Sequence, residues 1–227
     1  MISERWEGTK SYLSRVTRRA SRVTNKKMAF TYFFRDYHTL NLTVQNVVKY
    51  ASGKSNIRIW DAGCAMGPEP YSLAIIFSEN MGHFAFRNLK IDATDIDESN
   101  LFEKIISEGE YHEEPLQRIP PEIFAKYFDR SSKPEHYKIN EKIRRSVVFQ
   151  KHNLLSLKPV GSDYSLIVCK NVLLHFQQSE RIEVIKMFHK SLAPGGYFAT
   201  EQTQKLPEEL SSLFTQVVSD AQLFKKV

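Results

Sequence analysis

Only two cysteines occur in the 227 residues, Cys64 and Cys169, and both sit inside apolar, strand-like segments. No further cysteine or histidine completes a metal-ligand spacing. No metal is expected, and the two thiols read as small buried residues of a reducing cytoplasm, not as a disulfide. No apolar run approaches the roughly 20 residues that span a bilayer. The opening MISERWEGTK is charged where a signal peptide would be apolar. Membrane insertion is therefore not expected, and the expected location is cytoplasmic. There are no repeats and no low-complexity linker. With 41% hydrophobic residues the chain can build one complete α/β domain, and it is too short for two; with 26% charged residues it does not resemble a disordered chain.

The balance of charge is basic, +6 with a pI near 9.2. Such a balance suits nucleic acid, a membrane surface, an acidic protein, or simple solubility. Much of the excess lies in Arg15, Arg18, Arg19, Arg22, Lys26 and Lys27. Tyr12, Leu13, Val16, Ala20 and Val23 fall among them at helical spacing. Residues 1–27 are therefore expected to form a basic helical segment ahead of a domain spanning 28–227.

From residue 57 onward, short apolar runs alternate with helical patterns. Strands are predicted at 57–60, 89–94, 147–151, 164–169 and 197–200, with a closing strand at 222–225. Helices are predicted at 69–81, 98–107, 179–192 and 206–219. Alternating βα units imply a mostly parallel sheet with helices on both faces. The stretch 109–145 breaks this rhythm. It is polar and holds Pro115, Pro120, Pro121 and Pro134. A structureless loop of that length is improbable in a compact domain, so an inserted subdomain is expected, with a short helix at 120–128 and part of an antiparallel excursion at 137–145.

Four strand ends carry the chemistry. The first reads IWDAGCAMGPEP: a carboxylate, then Gly63 and Gly67, then a helix. Glycines there permit close backbone approach to a ligand, and open α/β sheets bind ligands at this edge. A dinucleotide loop would read G-x-G-x-x-G and place a pyrophosphate on the helix N-terminus. Here Glu69 occupies that position, which repels phosphate and suits an ammonium. S-adenosylmethionine (SAM) offers an α-amino group and a sulfonium and carries no phosphate. The second strand end is ATDID, where Asp95 can accept both ribose hydroxyls and Asp97 can cap the following helix. The third is HNLL: Asn153 can bond the adenine edge and Leu154 can touch its face. The fourth is CKNVLLHF, which places Asn171 in the ligand crevice and offers His175 as an acid, base or substrate contact. Ala62, Gly63 and Val172 complete the expected cofactor contacts.

These motifs, with FTYFFRD upstream, resemble the chemotaxis-receptor methyltransferase family, CheR. The segments are Thr31–Arg35, Gly67–Ser72, Thr94–Asp97, Asn153–Leu155 and Cys169–Phe176. The resemblance implies a Rossmann-like SAM-dependent methyltransferase fold. It also implies that Thr31, Arg35, Glu69, Asp95, Asn153, Leu154 and Asn171 line the SAM site. Glu69 would hold the methionine amino group, Asp95 the ribose, and Arg35 would lie near the transferable methyl and the acceptor carboxylate. The family's separate N-terminal helical domain is expected to be absent or reduced to one or two helices. Ala29, Lys170, His175 and Thr200–Thr203 depart from the family's residues, mostly on the acceptor side.

The function expected is methyl transfer from SAM, leaving S-adenosylhomocysteine. The first acceptor to consider is a protein glutamate carboxylate, with Arg35 and His175 as catalytic candidates. The alternative is a small carboxylate or hydroxyl substrate, or another protein site; a hydroxyl or amine acceptor would need a base, for which His175 or Glu201 would serve. Nucleic acid is disfavoured because CKNVLLHF lacks the N/D-P-P-Y/F element of base-amino methyltransferases. A non-catalytic SAM-binding regulatory protein is the alternative from another class.

Overall fold

The computed structural model describes residues 31–227. The basic segment of residues 1–27 lies outside the described residues. In chain order the strands are β1 (Ile57–Ala62), β2 (Leu89–Asp95), β3 (Glu110–His112), β4 (Phe128–Arg130), β5 (His136–Ile139), β6 (Val147–Lys151), β7 (Tyr164–Cys169), β8 (Leu192–Thr200), β9 (Phe214–Gln216) and β10 (Leu223–Lys226). The α-helices are α1 (Tyr37–Tyr50), α2 (Pro68–Asn80), α3 (His83–Phe86), α4 (Phe102–Glu108), α5 (Pro121–Tyr127), α6 (Glu141–Arg144) and α7 (Gln178–Ser191).

One sheet has the order β6-β2-β1-β7-β8-β10-β9. Its first five strands run parallel, and β10 and β9 close it antiparallel. This is the α/β, Rossmann-like arrangement that the alternation implies. The strand order reverses between β1 and β7, so the crevice for a ligand opens at their carboxyl ends. β7 (YSLIVC) is buried at every position, as a central parallel strand covered on both faces must be.

Two apolar clusters flank the sheet. Ile57 and Ile59 of β1 pack with Leu40, Val44 and Val47 of α1 and with Leu73 and Phe77 of α2. Trp60 and Ala62 face the other way, with Val184, Ile185 and Phe188 of α7. The two-residue period of the strand does this sorting. It also puts Asp61 on the α1/α2 face. Helix α1 precedes the alternation and is not anticipated by it, although its buried Leu40, Thr43, Val44 and Val47 keep helical spacing.

Two sequence expectations are corrected. The helix expected at 206–219 is a single 3₁₀ turn, Glu208–Leu210, followed by strand β9. Leu206, Leu210 and Phe214 do keep a helical period, but β10 offers an open edge, and Phe214–Gln216 pairs with it. Edge pairing outweighs local periodicity in a stretch rich in Thr and Val. Helix α4 begins at Phe102, not at 98. The Asp97 carboxylate accepts from the Leu101 and Phe102 amides (3.3 and 3.1 Å) and from the Ser99 hydroxyl (2.7 Å). Those bonds hold 97–101 in a turn and cap the helix from outside it.

Residues 109–145 form a three-stranded antiparallel sheet, β3-β5-β4, with α5 and α6 beside it. Tyr111 fastens it to the ligand edge: its hydroxyl donates to the Met66 carbonyl at 2.9 Å.

Candidate active site

The turn after β1 is shaped by close approach. The N–H groups of Gly63 and Cys64 both donate to the Thr94 carbonyl (2.7 and 3.0 Å), tying the turn to the end of β2. Gly63 has φ +101°, and a Cβ there would stand 2.1 Å from Val172 Cγ2. Gly67 has φ +100°, and its Cβ would stand 2.7 Å from Tyr111 Oη. Neither site admits a side chain without displacing a neighbour. Pro68 then opens α2, with its fixed φ and missing N–H at a position where neither costs anything.

Three carboxyl groups gather along this edge. Asp95, at the end of β2, accepts from the Ala65 N–H at 3.0 Å and from the Asp97 N–H at 3.2 Å. A carboxylate has about four acceptor positions, so capacity for a diol remains. Asp61 is completely buried, and neither of its oxygens meets a donor among the described residues. The group it faces is the carboxyl of Glu69, within hydrogen-bonding reach. Glu69 stands in the first turn of α2, where the helix dipole favours a negative charge. Lys170 Nζ lies 3.8 Å from Glu69 Oε2 and 3.0 Å from Asp36 Oδ2. The lysine side chain is buried, so its charge is spent on these partners.

The electrostatics follow from burial. Desolvation pushes the Asp61 carboxyl well above the ordinary carboxylate range, and the adjacent Glu69 reinforces the shift; Lys170 opposes it. Burial also raises Glu69, while Lys170, the hydrogen bond with Asp61 and Arg35 pull it back. Both carboxyls are thus raised, Asp61 further than Glu69. Burial pushes the Cys64 and Cys169 thiols up, and nearby carboxylates add to it. Neither is a poised nucleophile.

A second group forms around Asn171. The bend before α1 has two left-handed residues, Phe34 (φ 58°) and Asp36 (φ 54°), with Arg35 between them. The Phe34 N–H donates to Ser72 Oγ at 2.8 Å, which anchors the bend on α2. Arg35 Nη2 donates to Asn171 Oδ1 at 3.0 Å. Asn171 is itself left-handed (φ 59°). Its N–H donates to Glu201 Oε2 at 2.9 Å, and Thr200 Oγ1 donates to the same oxygen at 2.8 Å. Glu201 Oε1 is buried without a donor among the described residues.

The structure thus brings Arg35 to Asn171, Glu69 to Lys170, and Gly63 to Val172, all at the carboxyl ends of β1, β2 and β7. Ala62 is buried at the last position of β1. Thr31 is half-buried at the first described position. Asn153 is exposed, and its side-chain carbonyl accepts from the Leu155 N–H at 2.9 Å, capping the 3₁₀ turn Leu154–Ser156. That leaves its amide N–H₂ to offer a base. Leu154 is buried against the α7 side of the sheet. His175 is exposed at the end of the 3₁₀ turn Leu173–His175. Sequence reading assigned no role to Asp61, Asp36 or Lys170. The available signal was the alternation of β1, which places a carboxylate among the inward residues Ile57 and Ile59.

Comparison with known proteins gives a consistent picture. The family model described as "CheR methyltransferase, SAM binding domain" matches residues 29–223. The chain is 32% identical over 189 residues to chemotaxis protein methyltransferase 1 of Pseudomonas aeruginosa, covering 78% of this chain and 68% of that protein. It is 32% identical over 175 residues to the chemotaxis protein methyltransferase of Borreliella burgdorferi, covering 74% and 61%. It is 31% identical over 169 residues to that of Escherichia coli, covering 73% and 57%. The match thus spans between about half and two thirds of these relatives' lengths.

Proposed function

Because the chain belongs to the CheR methyltransferase SAM-binding domain family, we propose that it methylates a carboxylate oxygen, the side chain of a glutamate on a protein acceptor. Its relatives' names point to a protein of a chemotaxis system as that acceptor. The observation that carries the reading is Arg35, held by Asn171 at 3.0 Å beside the cofactor edge. A carboxylate is already ionised at neutral pH and needs no base. It needs a cation that fixes its orientation, and a guanidinium pairs with it in two parallel hydrogen bonds.

The residues present fit SAM. The first turn of α2 carries a carboxylate, Glu69, where a phosphate cofactor would need bare amides. Glu69 receives the α-ammonium, and Asp95 takes the ribose hydroxyls. Leu154 and the Asn153 amide serve the adenine, while Gly63 and Val172 set the width of the crevice. SAM supplies a methyl group on a positively charged sulfur. The protein's part is to line up the acceptor oxygen with the C–S bond and to exclude water. Arg35 performs the alignment, and the Thr200–Glu201–Asn171 hydrogen bonds hold Arg35 in place. His175 has no proton to move in this reaction.

A second reading rests on Glu201. A buried carboxylate next to Asn171 suits an acceptor that brings an O–H or N–H, for which it would act as base. One experiment separates the two. Transfer of radiolabelled methyl from SAM to the cytoplasmic domain of a chemotaxis receptor should give label that is released as methanol by mild alkali. Label that survives alkali, or label found only on amines and alcohols of small molecules, would exclude the carboxylate reading.

A further inference from the structure

Asp61 poses a problem that the methyl-transfer reading does not solve. It lies in the middle of the sheet, opposite Ala93 of β2 and Val168 of β7. Its exposure is 0%, and neither oxygen has a donor among the described residues. A buried carboxylate ion without hydrogen-bond donors or a contacting cation is strongly disfavoured. The charged and titratable groups around it make ionisation worse. Glu69 faces it from α2 and Asp95 from the end of β2, with Lys170 after β7 as the cation acting on it. Lys170 is already engaged by Asp36 at 3.0 Å. Arg35 and Asp36 act on Glu69, and the neighbouring thiols of Cys64 and Cys169 are themselves kept neutral. Two carboxyls in contact do not both ionise. Their contact must then be an O–H···O hydrogen bond, and the more deeply buried of the two, Asp61, is the donor.

We propose that Asp61 works as a neutral carboxylic acid whose hydroxyl donates to Glu69, fixing that carboxylate so that its outward lone pairs meet the cofactor's α-ammonium. Asp61 is in this sense a positioning residue. It touches no ligand and acts through Glu69, so the proposal rests on the reading that Glu69 receives the ammonium. The donated bond does three things. It keeps a single negative charge at the methionine end, it satisfies the inner oxygen of Glu69, and it leaves the outer one for the ligand. A second ionised carboxylate there would instead draw Lys170 inward, away from Asp36.

The test compares the wild-type protein with Asp61→Asn and Asp61→Ala. Asparagine keeps a donor of the same shape and has no proton to lose; alanine removes the donor. Affinities are measured for SAM and for 5′-methylthioadenosine, which lacks the amino-acid part. The expected result is SAM binding within about threefold of wild type for Asp61→Asn and weaker by about tenfold or more for Asp61→Ala, the value of one hydrogen bond to a charged group. Methylthioadenosine binding should be alike in all three. Infrared difference spectra between wild type and Asp61→Asn at neutral pH should show the carbonyl stretch of one protonated carboxyl lost in the variant. Absence of that band overturns the proposal. So does an Asp61→Asn protein that binds SAM as poorly as Asp61→Ala while still binding methylthioadenosine, because the charge itself would then be what matters. If the alanine protein does not fold, the asparagine protein and the band still decide. Unchanged SAM affinity in Glu69→Gln, with the band present, would instead locate the failure in the ammonium reading of Glu69.

Discussion

The two halves of the crevice are built differently. On the cofactor half, positions around the turn after β1 are set by backbone: the Gly63 and Cys64 amides on Thr94, the Ala65 and Asp97 amides on Asp95, and two left-handed glycines that leave no room for side chains; Glu69, with Lys170 and Asp61 beside it, is the exception. On the acceptor half they are set by side chains: Arg35 on Asn171, Asn171 on Glu201, Thr200 on Glu201. Backbone bonds survive most substitutions, and side-chain chains do not. A site assembled this way can change its acceptor without losing its methyl donor.

That contrast can be broken from the acceptor side first. Arg35→Lys keeps the charge and loses the planar fork. Methyl transfer should fall by ~100-fold or more, the cost of a misaligned acceptor, while SAM affinity changes little; equal losses in both would show that the halves are one unit. From the cofactor side, Asp95→Ala removes the carboxylate expected to hold the ribose. Calorimetry should show SAM and S-adenosylhomocysteine both weakened by about 10- to 100-fold. Unchanged binding would move the ribose elsewhere.

Two smaller effects sharpen the picture of a backbone-built half. Gly63→Ala puts a methyl group onto Val172 at a left-handed position, and should lower stability by roughly 1–3 kcal/mol. Val172→Ala in the same chain should recover part of the loss, because it removes the clash and leaves the backbone strain. Asp97→Ala removes the cap of α4 and should cost about 1 kcal/mol. The cost depends on pH. Burial works against the Asp97 anion, but the Ser99 hydroxyl and the Phe102 and Leu101 amides outweigh it and hold the group below its ordinary value. Its stabilisation is therefore present above the usual carboxylate range and is lost as pH falls through the lowered value. The gap between wild-type and Asp97→Ala melting temperatures should narrow in acid and stay constant from neutral pH upward. A gap that widens in acid would reverse the sign of the linkage.

Much of the site was legible beforehand because parallel strands impose a rule: ligands gather at their carboxyl ends. Motifs such as DAGCAMG, TDID and CKN could be placed on that edge from strand periodicity alone. The edge strand β9 was not legible. Its residues keep a helical spacing, and only the open side of β10 turns them into a strand.

Sequence by itself determined the fold class, the order of the parallel units and the side chains available for SAM. Those follow from the alternation of apolar runs and from the chemistry at each turn, both local properties of the chain. Tertiary structure alone decided which charges meet. Lys170 stands between Asp36 and Glu69, residues 134 and 101 positions away in the chain, and Asp61 is enclosed beside Glu69 where neither of its oxygens meets a donor among the described residues. Burial and proximity set the cost of a charge, and neither exists until the sheet and its helices have closed around it.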